Sequence, residues 1–387
     1  MSHFAAQRLE NLPPYLFAEI DRKKAQLEAE GHDVISIGIG DPDKPTPERI
    51  VEAMAKAIRN PKNHHYPSYA GSPAYRAACA QFMQTRFGVT VDPATEVLAM
   101  IGSKEGIAHL FPAFVDPGCY TLIPGVGYPV YSGGAILNDS LSHWMPMREE
   151  NDFLADFEST PEDIVAKAQM MIISYPNNPT SVAANPEYFD RAIAYAKAHN
   201  LLLIHDNAYC DVAYDGYKPT SILERPGAMD CCLEFFSTSK SYNMTGWRCA
   251  FVAGNAEAIK TLGTVKSNID SGIFTAIQDA AIEALTGPQD EIQTMVDLYQ
   301  HRRDLVMRTF DEMGIHYVYP QGTIFMWARV PEGYNSAEYA EKVLMEAHVV
   351  IAAGTAYGPD GEGWFRMSLA CEDDRLVEAL QRMSKLG

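Results

Sequence analysis

The 387-residue sequence has little positive charge and no long apolar run. Its 31 lysines and arginines are outnumbered by 50 aspartates and glutamates, which gives a formal net charge of −19. Such an excess of negative charge disfavours a surface for nucleic acids or anionic membranes. No apolar run reaches the roughly 18 residues that a membrane-spanning helix needs, and the first residues lack the apolar core of a signal peptide. We therefore expect a soluble, cytoplasmic protein.

Patterns typical of metal and nucleotide sites are also missing from the sequence. The seven cysteines have no metal-ligand spacing, and we expect them to be reduced and structural. His64 and His65 are adjacent in a loop, where neighbouring side chains seldom converge on one ion, and no carboxylate accompanies them. The glycines of segment 102–106 fit neither a Walker A sequence nor a dinucleotide fingerprint. We predict no metal site.

Short aliphatic runs alternate with amphipathic segments along the chain. The predicted strands are 34–37, 96–101, 120–124, 170–174, 201–204, 323–327 and 364–369, and the predicted helices include 47–59, 73–87, 107–114, 288–313 and 336–347. Uninterrupted aliphatic strands are typical of a parallel sheet that is buried on both faces. The length and the 47% hydrophobic content predict an α/β protein with one large and one smaller domain.

A lysine in an unusual setting, Lys240, lies in the stretch from Phe235 to Arg248. It follows an apolar run, with hydroxyl groups at Ser237 and Ser239 and a guanidinium at Arg248. These groups can hold a phosphate, and a lysine beside a phosphate-anchored aldehyde can form a Schiff base once its amine is partly deprotonated. Most lysines are solvated surface residues, but these neighbours indicate pyridoxal phosphate (PLP) as a cofactor.

Polar residues follow several of the predicted strands. Asn178, Asp206 and Lys240 each come after a separate apolar strand, so we expect them at one edge of the sheet, where ligands of open α/β sheets bind. Asp206 alone would also fit a helix cap. The sequence Gly102-Ser103 between a strand and a helix is typical of an anion site at a helix N-terminus, although such a match is not decisive by itself.

Of three further residues, Tyr128 and Arg366 have two interpretations from the sequence alone and Tyr15 has one. Tyr128, at the mouth of the sheet, fits either a ring that stacks on a flat ligand or a core tyrosine. Tyr15 fits a packing aromatic. Arg366 lies amid apolar neighbours in a late strand, and a buried charge needs a partner, which is either an internal carboxylate or a carboxylate of the substrate.

Several motifs occur in the order of a known family. With Asn178-Pro179-Thr180, then Asp206 and Tyr209, then Ser237-Thr238-Ser239-Lys240 and Arg248, the chain resembles the class I/II aminotransferases of the fold-type I PLP family over essentially its full length. The resemblance implies a large PLP-binding domain at 46–287, whose mostly parallel sheet is flanked by helices. It also implies a small α/β domain at 288–387, with 1–45 as an N-terminal arm and part of that small domain.

The resemblance also implies the site residues. Lys240 would hold PLP and carry a proton, Asp206 would pair with the ring nitrogen, and Tyr209 and Asn178 would bind the ring oxygen. The phosphate would be bound by Ser103, Lys104, Ser237, Ser239 and Arg248, with Tyr128 stacked on the ring. Arg366, Gly40 and Asn178 would bind the substrate carboxylate. Tyr66 would reach the phosphate of a neighbouring subunit, which implies a homodimer.

Within that family the sequence is most similar to the LL-diaminopimelate aminotransferase group. The similarity rests on segments 12–22, 38–43, 102–106 and 268–272, and it places Tyr15 where that group has a substrate-contacting tyrosine. The chain has Ser181 in place of the usual glycine, and Gly125-Val126-Gly127 in place of the more usual Asp-Pro-Gly. Both differences lie near the expected ring position.

Other activities share the cofactor residues. The sequence has no arginine between Arg248 and Arg302, where one subgroup of aspartate aminotransferases has an arginine for the distal carboxylate. This disfavours a dedicated aspartate enzyme of that subgroup, and alanine or broad specificity is the alternative. A β-lyase or decarboxylase would have the same cofactor residues. A PLP-sensing regulator would need a fused DNA-binding domain.

Overall fold

The computed structural model describes residues 4–12 and 16–386, and the side chains of these residues except 16–19. The strands are β1 (Ile35–Ser36), β2 (Val97–Met100), β3 (Tyr120–Pro124), β4 (Leu141–Met145), β5 (Ala168–Ile173), β6 (Leu202–Asp206), β7 (Cys232–Ser237), β8 (Ala250–Gly254), β9 (Phe325–Arg329), β10 (Val349–Val350), β11 (Ala352–Ala353) and β12 (Trp364–Ser368).

The α-helices surround these strands. They are α1 (Leu16–Ala29), α2 (Glu48–Ala57), α3 (Pro73–Phe87), α4 (Ser103–Phe114), α5 (Val130–Leu137), α6 (Glu162–Val165), α7 (Pro186–Ala198), α8 (Ala228–Cys231), α9 (Thr238–Ser241), α10 (Ala256–Ile269), α11 (Thr275–Thr286), α12 (Asp290–Met313), α13 (Ser336–Ala347) and α14 (Asp373–Met383). None of the described helices combines the length and the apolar character of a membrane span.

A seven-stranded sheet forms the centre of the molecule. Its strand order is β2-β8-β7-β6-β5-β3-β4, and β8 alone runs against its neighbours. Alternate residues of a strand enter different cores, as Ala99 and Leu98 of β2 do, so both faces of the sheet are covered. Because β5, β6, β7 and β2 point the same way, their carboxyl ends meet at one edge.

Residues near both ends of the chain form two smaller sheets. Strands β11, β12 and β9 are antiparallel, and β1 pairs in parallel with β10. The Ser368 backbone N–H also donates to the Ile37 carbonyl over 2.6 Å. The segment after β1 is thereby held beside β12, which carries Arg366. The predicted small domain combines part of segment 1–45 with residues 288–387. Its boundaries stay a prediction.

Several predicted elements begin at other residues than expected, and two of these differences bear on the site. Helix α4 starts at Ser103 and not at Ile107, so the Gly102-Ser103 pair forms the helix start itself. Strand β9 starts at Phe325 and not at Thr323, because Thr323 has a left-handed backbone with φ +65° that a strand cannot accommodate. The predicted helix at 73–87 is confirmed. It begins at the Ser72 cap, whose hydroxyl accepts from the Tyr75 N–H, and ends at the left-handed Gly88.

Candidate active site

Three predicted site residues lie at the carboxyl edge of the central sheet. Asn178 follows β5, Asp206 ends β6, and Lys240 lies in the short helix α9 directly after β7. These strands are adjacent and parallel, so the topology brings the three residues to the same edge. Gly102 and Ser103 follow β2, which runs in the same direction, and reach this edge as well.

Lys240 has the environment of a reactive amine. Its Nζ donates to the Gly40 carbonyl over 2.6 Å, and its side chain is largely shielded from solvent. Burial lowers the pKa of Lys240 to about 8, with Asp41 opposing the shift and Arg366 and Arg248 adding to it. A larger fraction of this amine is therefore neutral near neutral pH than of an ordinary lysine, and the neutral form is the nucleophile.

Asp206 is a buried carboxylate with one oxygen left over. Its Oδ2 accepts from the Tyr131 hydroxyl over 2.8 Å, and its backbone carbonyl accepts from the Ser174 hydroxyl over 2.9 Å. Its Oδ1 is buried without a hydrogen-bond partner among the described residues. Burial raises the pKa of Asp206, and the Tyr131 hydrogen bond opposes that shift. An unpartnered buried oxygen of this kind calls for an N–H donor.

An anion cradle lies beside the start of α4. Gly102 has φ +80°, and a Cβ there would come within 2.3 Å of Nη2 of Arg248, so the missing side chain leaves room for the guanidinium. The Ser103 hydroxyl is buried without a hydrogen-bond partner among the described residues. Ser237 caps α9 by accepting from the Ser239 N–H over 3.2 Å. Arg248 thus lies against the start of α4, and Ser237 and Ser239 lie at the start of α9 on the same edge of the sheet, an arrangement that suits a phosphate.

A cluster of charged side chains lies next to the first turn of α4. The buried Lys266 contacts Glu105 at 3.2 Å and Asp270 at 2.8 Å, and Glu105 accepts from the Ile101 N–H over 3.0 Å. One ligand atom each of Glu105, Asp270 and His109 lies within 4.8 Å of the others, which is close enough for the three to share a metal ion. The Lys266 ammonium already supplies the positive charge that the two carboxylates need, so we interpret the cluster as structural support for the start of α4.

Arg366 is a further cation of the site. Its Nη1 donates to Asn178 Oδ1 over 2.9 Å and its Nη2 to the Gly38 carbonyl over 2.6 Å. The guanidinium carbon lies 3.9 Å from the ring centroid of Phe325 and 4.7 Å from that of Tyr357. Its Nε is buried without a hydrogen-bond partner among the described residues. The arrangement leaves N–H groups that a carboxylate can bind.

A comparison with protein families identifies the family of the chain. The family model for aminotransferase class I and II matches residues 32–383. The chain belongs to this aminotransferase family. It is a PLP-dependent transaminase, and the predicted fold-type I architecture is confirmed.

Individual relatives agree with the family. The LL-diaminopimelate aminotransferase of Desulforudis audaxviator is 51% identical over 99% of this chain and 98% of its own. LL-diaminopimelate aminotransferase 2 of a Nostoc species is 49% identical over the same shares. Among solved structures, substrate-bound BacF from Bacillus subtilis has a TM-score of 0.96 at 34% identity and covers 99% of this chain and 98% of its own.

The aminotransferase residues fit PLP on three observations. The lone Asp206 Oδ1 fits the protonated ring nitrogen, the unpartnered Ser103 hydroxyl and the space at Gly102 fit the phosphate, and the Lys240 amine fits the aldehyde. Tyr131, which holds Asp206, was missed by the sequence analysis. Its position one helical turn after Tyr128 at the same strand end was the available signal.

Four predicted residues remain to be placed. Tyr128 is half-buried after β3, with the Lys104 ammonium 5.8 Å from its ring centroid. Tyr209 is buried, its ring 5.8 Å from that of Phe325, and burial raises its pKa far above the ordinary value. Tyr66 is 91% exposed, so its own subunit does not enclose it. Tyr15 lies outside the described residues.

The pKa of Lys240 leads to a testable pH dependence. In the apoenzyme, labelling of Lys240 by an amine-reactive reagent should rise with pH around a midpoint near 8, because only the neutral amine reacts. The side-chain amine of Nα-acetyl-lysine in the same solution should have a midpoint of about 10.4. Asp41→Asn removes a charge that raises the Lys240 pKa and should lower its midpoint. Mass spectrometry of the labelled peptide gives both values, and equal midpoints for protein and free lysine would contradict the assignment.

Proposed function

We propose that this aminotransferase transfers the amino group of LL-diaminopimelate to a 2-oxo acid such as 2-oxoglutarate, as a cytoplasmic step of lysine biosynthesis. One observation supports the amino-acid site most directly. Arg366 is 4% exposed, and among the described residues it has no carboxylate partner. A buried guanidinium without a counter-ion calls for one, and the α-carboxylate of an amino acid provides it.

The residues around Lys240 would divide the chemistry among them. PLP supplies an aldehyde that captures the amino group and a ring that takes up the electrons of the Cα–H bond. The Lys240 Nζ would take the proton from the substrate Cα and return it to the carbon that was the PLP aldehyde, and the Asp206 carboxylate would keep a proton on the ring nitrogen. Tyr209 and Asn178 would bind the ring oxygen. Ser103, Lys104, Ser237, Ser239 and Arg248 would hold the phosphate, and Tyr128 would stack on the ring.

The substrate carboxylate would be positioned by groups from distant parts of the chain. Arg366 supplies the charge, and Asn178 fixes the guanidinium by accepting from Nη1. In this structure the Gly40 carbonyl accepts from Lys240 and the Gly38 carbonyl accepts from Arg366. The Gly38–Gly40 segment thus touches both Lys240 and Arg366. We propose that Gly40 and Tyr15 also contact the substrate.

The choice of LL-diaminopimelate rests on two supports. Relatives that bear that name are 45–51% identical over almost the whole chain. The first arginines after Arg248, Arg302 and Arg303, are bound by the chain's own Asp43 and Asp215 at 2.7 and 2.6 Å. They are therefore occupied, which disfavours recognition of an aspartate side chain by either of them.

We further propose a homodimer in which Tyr66 reaches the phosphate of the neighbouring subunit. The ring of Tyr66 is almost fully exposed, and Tyr69 and Ile269 are about half exposed. Large apolar side chains exposed together are typical of an interface. The proposed domains are the arm and partial small domain at 1–45, the large domain at 46–287 and the small domain at 288–387.

A panel of amino donors tests the proposed substrate. With 2-oxoglutarate as acceptor, kcat/KM for LL-diaminopimelate should exceed the values for alanine and aspartate by about 100-fold or more, since a site built for polar groups rejects analogues without them. Measuring glutamate formation checks this. Equal or better rates with alanine would favour the broad-specificity alternative. Release of ammonia or CO2 without 2-oxoglutarate would indicate a lyase or decarboxylase instead.

A further inference from the structure

The buried ring of Phe325 contacts three groups of the candidate site at once. The Arg366 guanidinium carbon lies 3.9 Å from its centroid, and the Tyr209 ring lies edge-on at 5.8 Å. A Cβ at Gly40 would come within 2.3 Å of Cζ of Phe325, so the ring abuts the Gly40 backbone. One side chain therefore borders the carboxylate arginine, the ring-oxygen tyrosine and the loop that binds Lys240.

The backbone of Phe325 is held by a bridge of two buried hydroxyl groups. The Ser181 hydroxyl donates to the Phe325 carbonyl over 2.8 Å, and the Phe325 N–H donates to Oγ1 of Thr323 over 3.1 Å. The two hydroxyl oxygens are 2.6 Å apart. Since the Ser181 proton is directed to the carbonyl, Thr323 donates to Ser181. This hydroxyl bridge satisfies both polar groups of the Phe325 backbone.

The conformations of both bridge residues indicate that the hydroxyl groups matter. Ser181 has φ +63° and Thr323 has φ +65°, which are left-handed values that favour glycine over other residues. Both side chains are fully buried. Glycine at position 181 would relax the backbone but would break the hydroxyl bridge. The chain keeps serine there, and its hydroxyl makes hydrogen bonds that glycine cannot make.

We infer that Phe325, fixed by the Ser181–Thr323 hydroxyl bridge, is a positioning residue for the substrate carboxylate through Arg366. The inference rests on the proposed role of Arg366. Of the five guanidinium N–H groups, one reaches Asn178 and one reaches Gly38, so three remain for substrate. A cation over an aromatic face is attracted to it, most strongly when desolvated. The ring thereby limits where those three groups point.

Replacing Phe325 by leucine tests the positioning role of its ring. In the holoenzyme, KM for the amino donor should rise by about 10-fold while kcat stays within about 3-fold, because the carboxylate contact is made equally in the ground state and the transition state. The dissociation constant of maleate, a non-reacting dicarboxylate, should rise by a similar factor in calorimetric titration. An unchanged KM and an unchanged maleate affinity would overturn the inference.

Phe310→Leu is the matched control. Phe310 is also fully buried, in α12, and its ring packs on Phe365 with centroids 6.0 Å apart. The described contacts of Phe310 do not include Arg366, so this variant removes the same volume elsewhere. Both variants should lower Tm, but Phe310→Leu should leave KM and the maleate affinity at wild-type values. A matching rise in both variants would mean that general loosening, and not the ring, sets KM.

Ser181→Gly provides a second test that does not depend on a core cavity. Tm should change little, because the relaxed backbone offsets the lost hydrogen bonds. KM for the donor should still rise by about 3-fold as the ring loses its anchor. A wild-type KM in this variant would exclude a role for the hydroxyl bridge.

Arg366→Lys separates this inference from the proposed function. If Arg366→Lys leaves KM and maleate binding unchanged, Arg366 does not bind the substrate carboxylate. The positioning role of Phe325 is then wrong as well. If Arg366→Lys weakens both while Phe325→Leu does not, the proposed function stands and the positioning role of Phe325 alone is wrong. Weakening in both variants supports both.

Discussion

Replacing Lys240 by alanine is expected to lower kcat by about 10⁴-fold without unfolding the protein. One acid–base group typically contributes 10²- to 10⁴-fold, and the upper end applies here because Lys240 would also be the covalent anchor of PLP. The side chain contributes one described hydrogen bond, to the Gly40 carbonyl. Its lowered pKa shows that the fold disfavours the charged amine, so its removal should not reduce the stability of the apoenzyme near neutral pH.

Lys240→Arg is the control that isolates proton transfer. Arginine keeps a positive charge and a donor for the Gly40 carbonyl, but it stays protonated and cannot accept the Cα proton. We expect it to be as inactive as the alanine variant. Added methylamine should restore part of the alanine variant's activity by supplying a free base. Turnover near the wild-type rate in either variant would show that Lys240 is not the catalytic base.

The sequence predicted which residues meet at one edge of the sheet, because uninterrupted aliphatic runs are typical of parallel strands. The aliphatic runs before Asn178, Asp206 and Lys240 indicated buried parallel strands, and parallel strands end together. The hydroxyl groups and the arginine near Lys240 then indicated a phosphate and a Schiff-base lysine. The fold class and the cofactor followed from these few positions and from the order of the motifs.

Residues that act through long-range contacts could not be predicted in this way. Tyr131 reaches Asp206 across 75 positions of sequence, and Phe325 reaches Gly40 across most of the length of the chain. Both look like ordinary core aromatics, because burial alone carries no information on what an aromatic contacts. The carbonyl of Gly38 had no signal either, since a backbone acceptor has no side chain to distinguish it.

A buried ion pair explains how distant parts of the chain meet at the site. Arg302 binds both oxygens of Asp43, at 2.7 and 2.9 Å, and donates to the Leu369 carbonyl over 3.1 Å. Asp43 follows the Gly38–Gly40 segment, and Leu369 follows the strand of Arg366. The pair therefore fixes the loop that contacts Lys240 to the strand that carries the carboxylate arginine. Breaking a buried pair is costly, which makes this geometry rigid.

Replacing Asp206 by asparagine is expected to lower kcat by about 10³-fold. The substitution keeps the shape of the side chain and an oxygen for the Tyr131 hydroxyl. It removes the negative charge that would keep a proton on the ring nitrogen of PLP, and loss of one preorganised electrostatic group typically costs 10²- to 10³-fold. Asp206→Glu retains the charge and should recover part of the rate. Activity of the asparagine variant within about 5-fold of wild type would contradict this role.

The Asp206→Asn apoenzyme should be as stable as the wild type at pH 7, or more stable, although its activity is lower. A loss of activity can then be told apart from a loss of folding. Burial raises the pKa of Asp206, so the folded apoenzyme holds the proton more tightly than the unfolded chain does. Stability from this group is complete below its unfolded pKa and is lost as pH rises through the folded pKa, so the ionised carboxylate destabilises the apoenzyme at pH 7. Asp206→Asn should therefore leave the apoenzyme Tm equal or higher at pH 7. The difference should shrink as pH falls below about 3.9, the pKa in the unfolded chain, because the carboxyl group becomes protonated in both states there. A lower Tm for the variant at pH 7 would mean that the carboxylate stabilises the fold, and the loss of activity would then need another explanation.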